Sequence, residues 1–220
     1  MRPTIALFAL LMAAAPALAD SLDVAPTTLD LTAGQPGLFY ITNHGDHDVT
    51  VQLQPMDWSQ SPQGEATTPS QRLMVSPQFA TIAAGKRQSV RVLAREGGEG
   101  EVPYRLLVSQ LPDQANPANG VQVLLQFSVP VFVGHADAKP ALDWHVVAKD
   151  GKPVLEARNT GNQTVKLSRI AVNGTALPGS GLHYVLPGSS TLFEGAGVSG
   201  TVTAHDERSG ADVRADIAAH

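Results

Sequence analysis

The sequence predicts an all-β fold made of two β-sandwiches, and three observations predict it. Short runs of alternating apolar and polar residues recur along the chain. They are punctuated by 20 glycines and 16 prolines, residues that oppose long helices. No window carries an apolar period of 3.6, so strands must bury the core. At 220 residues the chain is long enough for one or two compact domains. With 43% hydrophobic and 16% charged residues it is too apolar to be disordered. The absence of cysteine excludes structural disulfides, thiolate zinc sites, iron–sulfur clusters and cysteine nucleophiles together. A formal net charge of −5 argues against nucleic-acid or anionic-membrane binding, which needs a basic face.

The first segment is not part of the fold. Met1-Arg2-Pro3-Thr4 is a short basic start, Ile5 to Ala15 is apolar, and Ala17-Leu18-Ala19 before Asp20 has the small-x-small pattern of a cleavage site. Residues 1–19 read as a secretory signal peptide. The apolar run is shorter than the roughly 20 residues a membrane span needs, so no membrane insertion is expected. Export then places the chain in the periplasm or outside the cell.

Strands follow in order. Leu22 to Pro26 and Thr28 to Leu31 alternate, and Gly37 to Thr42 is β-branched and aromatic. Asn43-His44-Gly45-Asp46-His47-Asp48 is a turn, and Val49 to Gln54 alternates with period two and leads on to Trp58. After a polar loop come Arg72 to Pro77, Phe79 to Ala84 and Ser89 to Leu93. Tyr104 to Leu111 and Val121 to Val133 are the two longest candidates. His135 to Pro140 is polar, follows the longest apolar strand and ends in Pro, which makes it the linker between domains at 20–134 and 135–220. Beyond it, Leu142 to Val146, Pro153 to Ala157, Thr164 to Leu167 and Leu182 to Leu186 form a smaller second set. Asn159-Thr160-Gly161-Asn162 echoes Asn43-His44-Gly45-Asp46, each before a Thr-Val strand, which suggests two sandwiches of one type.

Motifs for catalysis and cofactors lack their context. Gly195, Gly197 and Gly200 match GxGxxG, but a dinucleotide site needs that motif between a strand and a helix, and no helix follows. Gly197-Val198-Ser199-Gly200 is one residue short of a nucleophile elbow. His44 and His47 lie three apart beside Asp46 and Asp48, but Gly45 puts them in a turn with no third ligand cluster. No catalytic residue, metal or cofactor is therefore expected. A periplasmic enzyme or ligand-binding module on this scaffold has no site constellation to support it.

The unusual feature is one strand. Val121, Val123, Leu125, Phe127 and Val129 share one face, with Gln122, Gln126 and Ser128 on the other and Leu124 the exception. Such alternation fits a core strand of a sandwich. It also fits a donor for β-augmentation, where main-chain bonds give affinity and alternate side chains give specificity. A long apolar face on an edge strand needs cover, so the free protein is expected either to self-associate through this strand or to protect it with a mobile loop, the Pro-, Asn- and Ala-rich segment Pro112 to Gly120.

Val75-Ser-Pro77-Gln-Phe79-Ala-Thr-Ile82-Ala-Ala-Gly85-Lys-Arg-Gln-Ser-Val90-Arg91-Val92 resembles the signature of the PapD-like periplasmic pilus chaperones. Tyr104 to Pro112 resembles their next strand and Val121 to Val133 their donor strand, in the same order and spacing. The resemblance spans about Leu22 to Val133. The Trp58 strand, Tyr104-Arg105 and Val129 to Val133 resemble the archaic branch of that family. The resemblance implies two immunoglobulin-like domains in a boomerang. It implies a periplasmic chaperone that completes pilus subunits (pilins) by donor-strand complementation, delivers them to an outer-membrane usher and uses no nucleotide. A structural pilus subunit is the competing expectation, though a subunit would be one shorter domain with its own donor segment.

In the non-archaic branch two basic residues hold the carboxylate of the subunit. Their positions fall on Thr28 and Pro130 here, so a different cation is needed. If Leu111 lies opposite Val121, antiparallel pairing sets residue 105 opposite about residue 127 and near Pro130. Arg105 is the candidate anchor, since guanidinium can pair a carboxylate through two parallel bonds. A solvated strand residue or an internal ion pair, with Glu101 as one partner, is the alternative for it. The family also links its domains by an acid before the Tyr104 strand and a base after the donor strand. Glu101 fits the acid, while Gly134 stands where the base belongs.

Overall fold

The computed structural model describes residues 22–113, 123–179, 181–195 and 199–217. Every helix or strand among them is a strand. The first half holds β1 (Leu22–Ala25), β2 (Leu29–Thr32), β3 (Gly37–Asn43), β4 (Val49–Ser61), β5 (Gly64–Pro69), β6 (Leu73–Ser76), β7 (Phe79–Ile82), β8 (Arg87–Ala94), β9 (Val102–Gln110) and β10 (Gln126–Gly134). The second holds β11 (Leu142–Lys149), β12 (Lys152–Asn159), β13 (Val165–Val172), β14 (Thr175–Ala176), β15 (His183–Val185), β16 (Ser190–Phe193), β17 (Gly200–Asp206) and β18 (Ala211–Ile217).

Two sheets close over the first core. One runs β1-β3-β8-β6 and the other β2-β10-β9-β4-β5, with β7 also on β4. Alternate residues point inward as period two requires, so Phe39, Ile41, Val90 and Val92 meet Val51, Leu53, Leu106, Val108 and Val131. Each such side chain contributes about 1.5–3 kcal/mol by leaving water. A separate core gathers Trp144, Leu155, Leu167, Ile170, Phe193 and Val202 between a β11-β12-β16 sheet and a β14-β13-β17-β18 sheet. Asp150-Gly151 and Asn173-Gly174 make two of its hairpins. Both residues of each pair have positive φ, as a two-residue turn of this hand demands.

The two Asn turns are built alike. Asn43 and Asn159 are fully buried. Asn43 Nδ2 donates to the carbonyls of His47 and Ile82, while its Oδ1 accepts from Gly45 N. Asn159 does the same with Gln163, Val185 and Gly161. A Cβ at Gly161 would run into the Lys139 carbonyl, so the linker can lie against this turn only because residue 161 is glycine.

Two expectations need correction, and one element is added. The polar loop after Trp58 is instead a hairpin, because β4 continues to Ser61 and β5 pairs back along it from Ser61↔Gly64 to Met56↔Pro69. All six residues of β5 are exposed, so no apolar alternation marked it. The late hairpin β17–β18 adds to the strands read from the sequence and contradicts none of them. Finally, the strand predicted over 121–133 begins at Gln126. Val121 and residues 114–120 of the expected covering loop lie outside the described residues, and Val123 belongs to no strand.

Candidate functional site

β10 is paired unevenly. Gln126–Val133 pairs antiparallel with β9, from Gln126↔Ser109 to Val133↔Val102. On its other side β2 runs parallel to it, but only over Val131–Gly134. Among the described residues, Gln126–Pro130 therefore has a strand partner on one side alone. The reason lies upstream, where the chain crosses from β1 in one sheet to β2 in the other and reaches β10 too late to cover its start. Gln110 N donates to Leu125 O at 2.8 Å, so odd-numbered residues of β10 face β9 with their main-chain groups. Gln126 and Ser128 turn theirs to the open edge. Pro130 has no N–H to offer, and pairing with β2 starts one residue later.

The side chains extend the core row. Leu125 and Phe127 are half-buried and pack against the first core, and Val129 is buried in it. Phe127 stands opposite Val108 and Val129 opposite Leu106. Val123 is 73% exposed and Leu124 41% exposed. The apolar row is thus graded, from buried at Val129 to solvent at Val123.

Arg105 lies opposite Pro130, three residues further along β10 than the expected residue 127. The shift arises because the last main-chain contact is Gln110 with Leu125, so the connection is longer than Leu111 opposite Val121 would leave it. Tyr104, Leu106 and Val108 point into the core, which turns Arg105 to the outer face. There its guanidinium lies 3.6 Å above the Trp58 ring and 5.2 Å from the Tyr184 ring, with Glu65 Oε2 3.2 Å from Nη2. Its ion-pair partner is thus Glu65 on β5, not Glu101. Lys166 Nζ approaches Tyr184 as well, at 5.6 Å. Beside them a cavity of about 360 Å³ separates the two halves, bounded by Thr28, Asp30, Phe132, Lys166 and Arg208. Inside the first core, burial pushes the Tyr104 phenol above its ordinary pKa, opposed by the Arg72 cation over its ring.

The base missing at Gly134 is supplied from the second half. Arg208, in the β17–β18 turn, donates from Nη1 to both oxygens of Glu101 at 2.8 and 2.7 Å and from Nη2 to Asp30 at 2.7 Å. Its guanidinium also lies 4.3 Å from the Phe132 ring. Glu101 accepts Thr164 N at 2.9 Å. Gln60 forms a second tie. Its Nε2 donates to Tyr184 O and Thr191 Oγ1, and its Oε1 accepts Leu186 N. Between the two ties Trp58, Phe132 and Leu186 form a small apolar cluster with Tyr184. No local pattern marks Arg208 or Gln60, because each acts across more than 100 residues of chain.

His44 and His47 stay in the β3–β4 turn, where the His47 ring bonds Asp46 at 2.9 Å. Among the described residues no three metal-ligating side chains gather. No helix of the described residues is long and apolar enough to cross a membrane.

Solved structures share this architecture. A chaperone–tip adhesion subunit pre-assembly complex from the archaic chaperone–usher Csu pili of Acinetobacter baumannii superposes with a TM-score of 0.75 at 22% identity, covering 90% of this chain and 98% of the other. The SafB chaperone of Salmonella enterica, in complex with the SafA pilin, gives 0.67 at 15% identity over 90% and 97%. The chaperone DraB of E. coli gives 0.66 at 16% identity over 91% and 97%. These likenesses establish the fold, two immunoglobulin-like sandwiches. No curated protein matches the chain significantly. The family model for the pili and flagellar-assembly chaperone, PapD N-terminal domain, matches residues 21–135, more than half of the sequence. By that match the chain belongs to the PapD-like pilus-assembly chaperones.

Proposed function

We propose that this chaperone works by lending the start of β10 to an incomplete pilus subunit. The observation that carries the reading is the open edge of Gln126–Pro130 combined with the apolar row of half-buried Leu125 and Phe127 and buried Val129. A subunit strand added at that edge would pair with the main chain of Gln126 and Ser128. Its groove would take Leu125 and Phe127, with Val123 and Val121 beyond them. Solved relatives of this fold are complexes of a chaperone with a pilin or a tip subunit, which supports the partner class.

The rest of the reading rests on sequence and family. Residues 1–19 direct export and are removed, and the mature chain works in the periplasm. Residues 20–134 form the domain that carries the donor strand, and residues 135–220 form the smaller second domain. The loaded chaperone delivers its subunit to an outer-membrane usher. Arg105 holds the terminal carboxylate of the subunit, supported by its place opposite Pro130 on the strand beside the open edge.

The test is co-expression of the tagged full chain with each small secreted β-protein encoded beside it, followed by recovery from the periplasm. A stoichiometric complex with one of them, lost on Val123→Asp, is the expected result. No complex with any of them, or an undiminished complex with that variant, overturns the reading.

A further inference from the structure

The β9–β10 ladder ends on an irregular rung. By the constant pairing sum, Gln110 stands opposite Leu125. In a regular antiparallel rung of this type the two residues exchange both main-chain bonds. Gln110 N does donate to Leu125 O at 2.8 Å. Leu125 N, however, donates at 3.2 Å to the side-chain oxygen Oε1 of Gln110. Gln110 is buried, and it occupies the fourth position of the inward row Tyr104, Leu106, Val108, Gln110. An apolar residue is the ordinary occupant of such a position, so an amide there needs partners to offset its burial. The next rung of the same type would join Pro112 to Val123, and Pro112 has no N–H to give. Beyond the Gln110 rung, Leu124 and Val123 leave the sheet and are exposed.

We infer that Gln110 is the positioning residue that fixes where the donated segment begins, by holding the Leu125 amide with its own side chain. Leu125 and Phe127 are then set in strand geometry before any subunit arrives, while Val123 and Leu124 stay off the ladder for the subunit to order. A subunit meets a short prepared strand at Leu125 and Phe127, and among the described residues the ordering cost falls on Leu124 and Val123. The inference rests on the donor-strand reading for its purpose, but its structural core concerns the free protein alone.

The test is residue-resolved amide exchange on the mature full chain, comparing wild type, Gln110→Met and Gln110→Glu. Met keeps the volume and removes the acceptor, whereas Glu keeps an oxygen that can accept but adds a buried acid, so in that variant Leu125 is read against Phe127 and Val129. Loss of one bond of this kind should speed Leu125 exchange by about five- to tenfold in the Met variant. In Gln110→Met the rates of Phe127 and Val129 should stay unchanged, and in Gln110→Glu Leu125 should exchange no faster, relative to Phe127 and Val129, than in wild type. Unchanged Leu125 exchange in Gln110→Met would show that the side chain is not the clamp. A uniform rise at Leu125, Phe127 and Val129 would make Gln110 a residue of general stability, which also overturns the inference. With a captured subunit in hand, recovery should fall for Gln110→Met. If wild type captures no subunit, the functional reading fails while the exchange result still decides the clamp.

Discussion

Glu101 and Arg208 are 107 residues apart in sequence and meet through one guanidinium nitrogen that reaches both carboxylate oxygens. The Glu101 side chain is 2% exposed and that of Arg208 18% exposed. The second nitrogen takes Asp30, so one cation joins the start of β9, β2 and the second sandwich. Arg208→Ala leaves a carboxylate buried without its countercharge. The expected loss is about 3–5 kcal/mol in equilibrium denaturation. Adding Glu101→Gln to that variant removes the stranded charge and should return part of the loss. A change under 1 kcal/mol in Arg208→Ala would show that the pair does not hold the halves together.

Asn43 and Asn159 give a matched pair of variants. Each Asn→Ala strands a buried carbonyl, that of Ile82 or of Val185, and frees a turn amide. Each should cost about 2–3 kcal/mol. Amide exchange should show the damage in the sandwich that contains the change and leave the other near its wild-type rates. Damage spread evenly over both would mean the two cores unfold as one unit.

These turns also mark what a sequence reveals. Asn43 and Asn159 are legible because all but one of the side-chain partners of each lie within four residues, and the motif repeats. The inward rows of β3, β4, β8 and β9 were legible because period two is a local property. The end of β10 was not, because the same alternation runs through Val123 and Val129 while only the latter has a ladder to sit on. The alternating pattern fixes which face a residue takes, and pairing fixes whether there is a sheet at all. Arg105 was placed near Pro130 by pairing arithmetic, but its Trp58 and Glu65 neighbours come from a hairpin with no apolar signal.

The graded burial of the donor row changes how it is best tested. Phe127 packs on the first core, so Phe127→Asp should lower stability as well as subunit recovery. Val123 is exposed, so Val123→Asp should leave the thermal midpoint of the free chain within about 2 °C of wild type. Recovery of the subunit should still fall at least tenfold, since an aspartate would have to enter an apolar groove. Equal stability losses for the two variants would mean that Val123 packs inward in the free protein.

Arg105 and Glu65 separate an anchor from an internal ion pair. The Arg105 side chain is 13% exposed and that of Glu65 43% exposed, so the pair itself contributes little, about 1 kcal/mol at most. Stacking on Trp58 contributes on a similar scale or somewhat more, about 0.5–2 kcal/mol. Glu65→Gln removes the competing carboxylate and leaves Arg105 over the indole. If Arg105 receives the subunit carboxylate, Glu65→Gln should keep or raise subunit recovery, and Arg105→Ala should abolish it. Arg105→Lys should fall between, because an ammonium keeps the charge but loses both the planar stack and the two-bond fork. If Arg105 serves only its own fold, Glu65→Gln and Arg105→Ala should both lower the denaturation midpoint, and recovery should follow stability in every variant. Full recovery with a stable Arg105→Ala chain would remove the anchor role and leave Lys166, on the same Tyr184 ring, as the next cation to test.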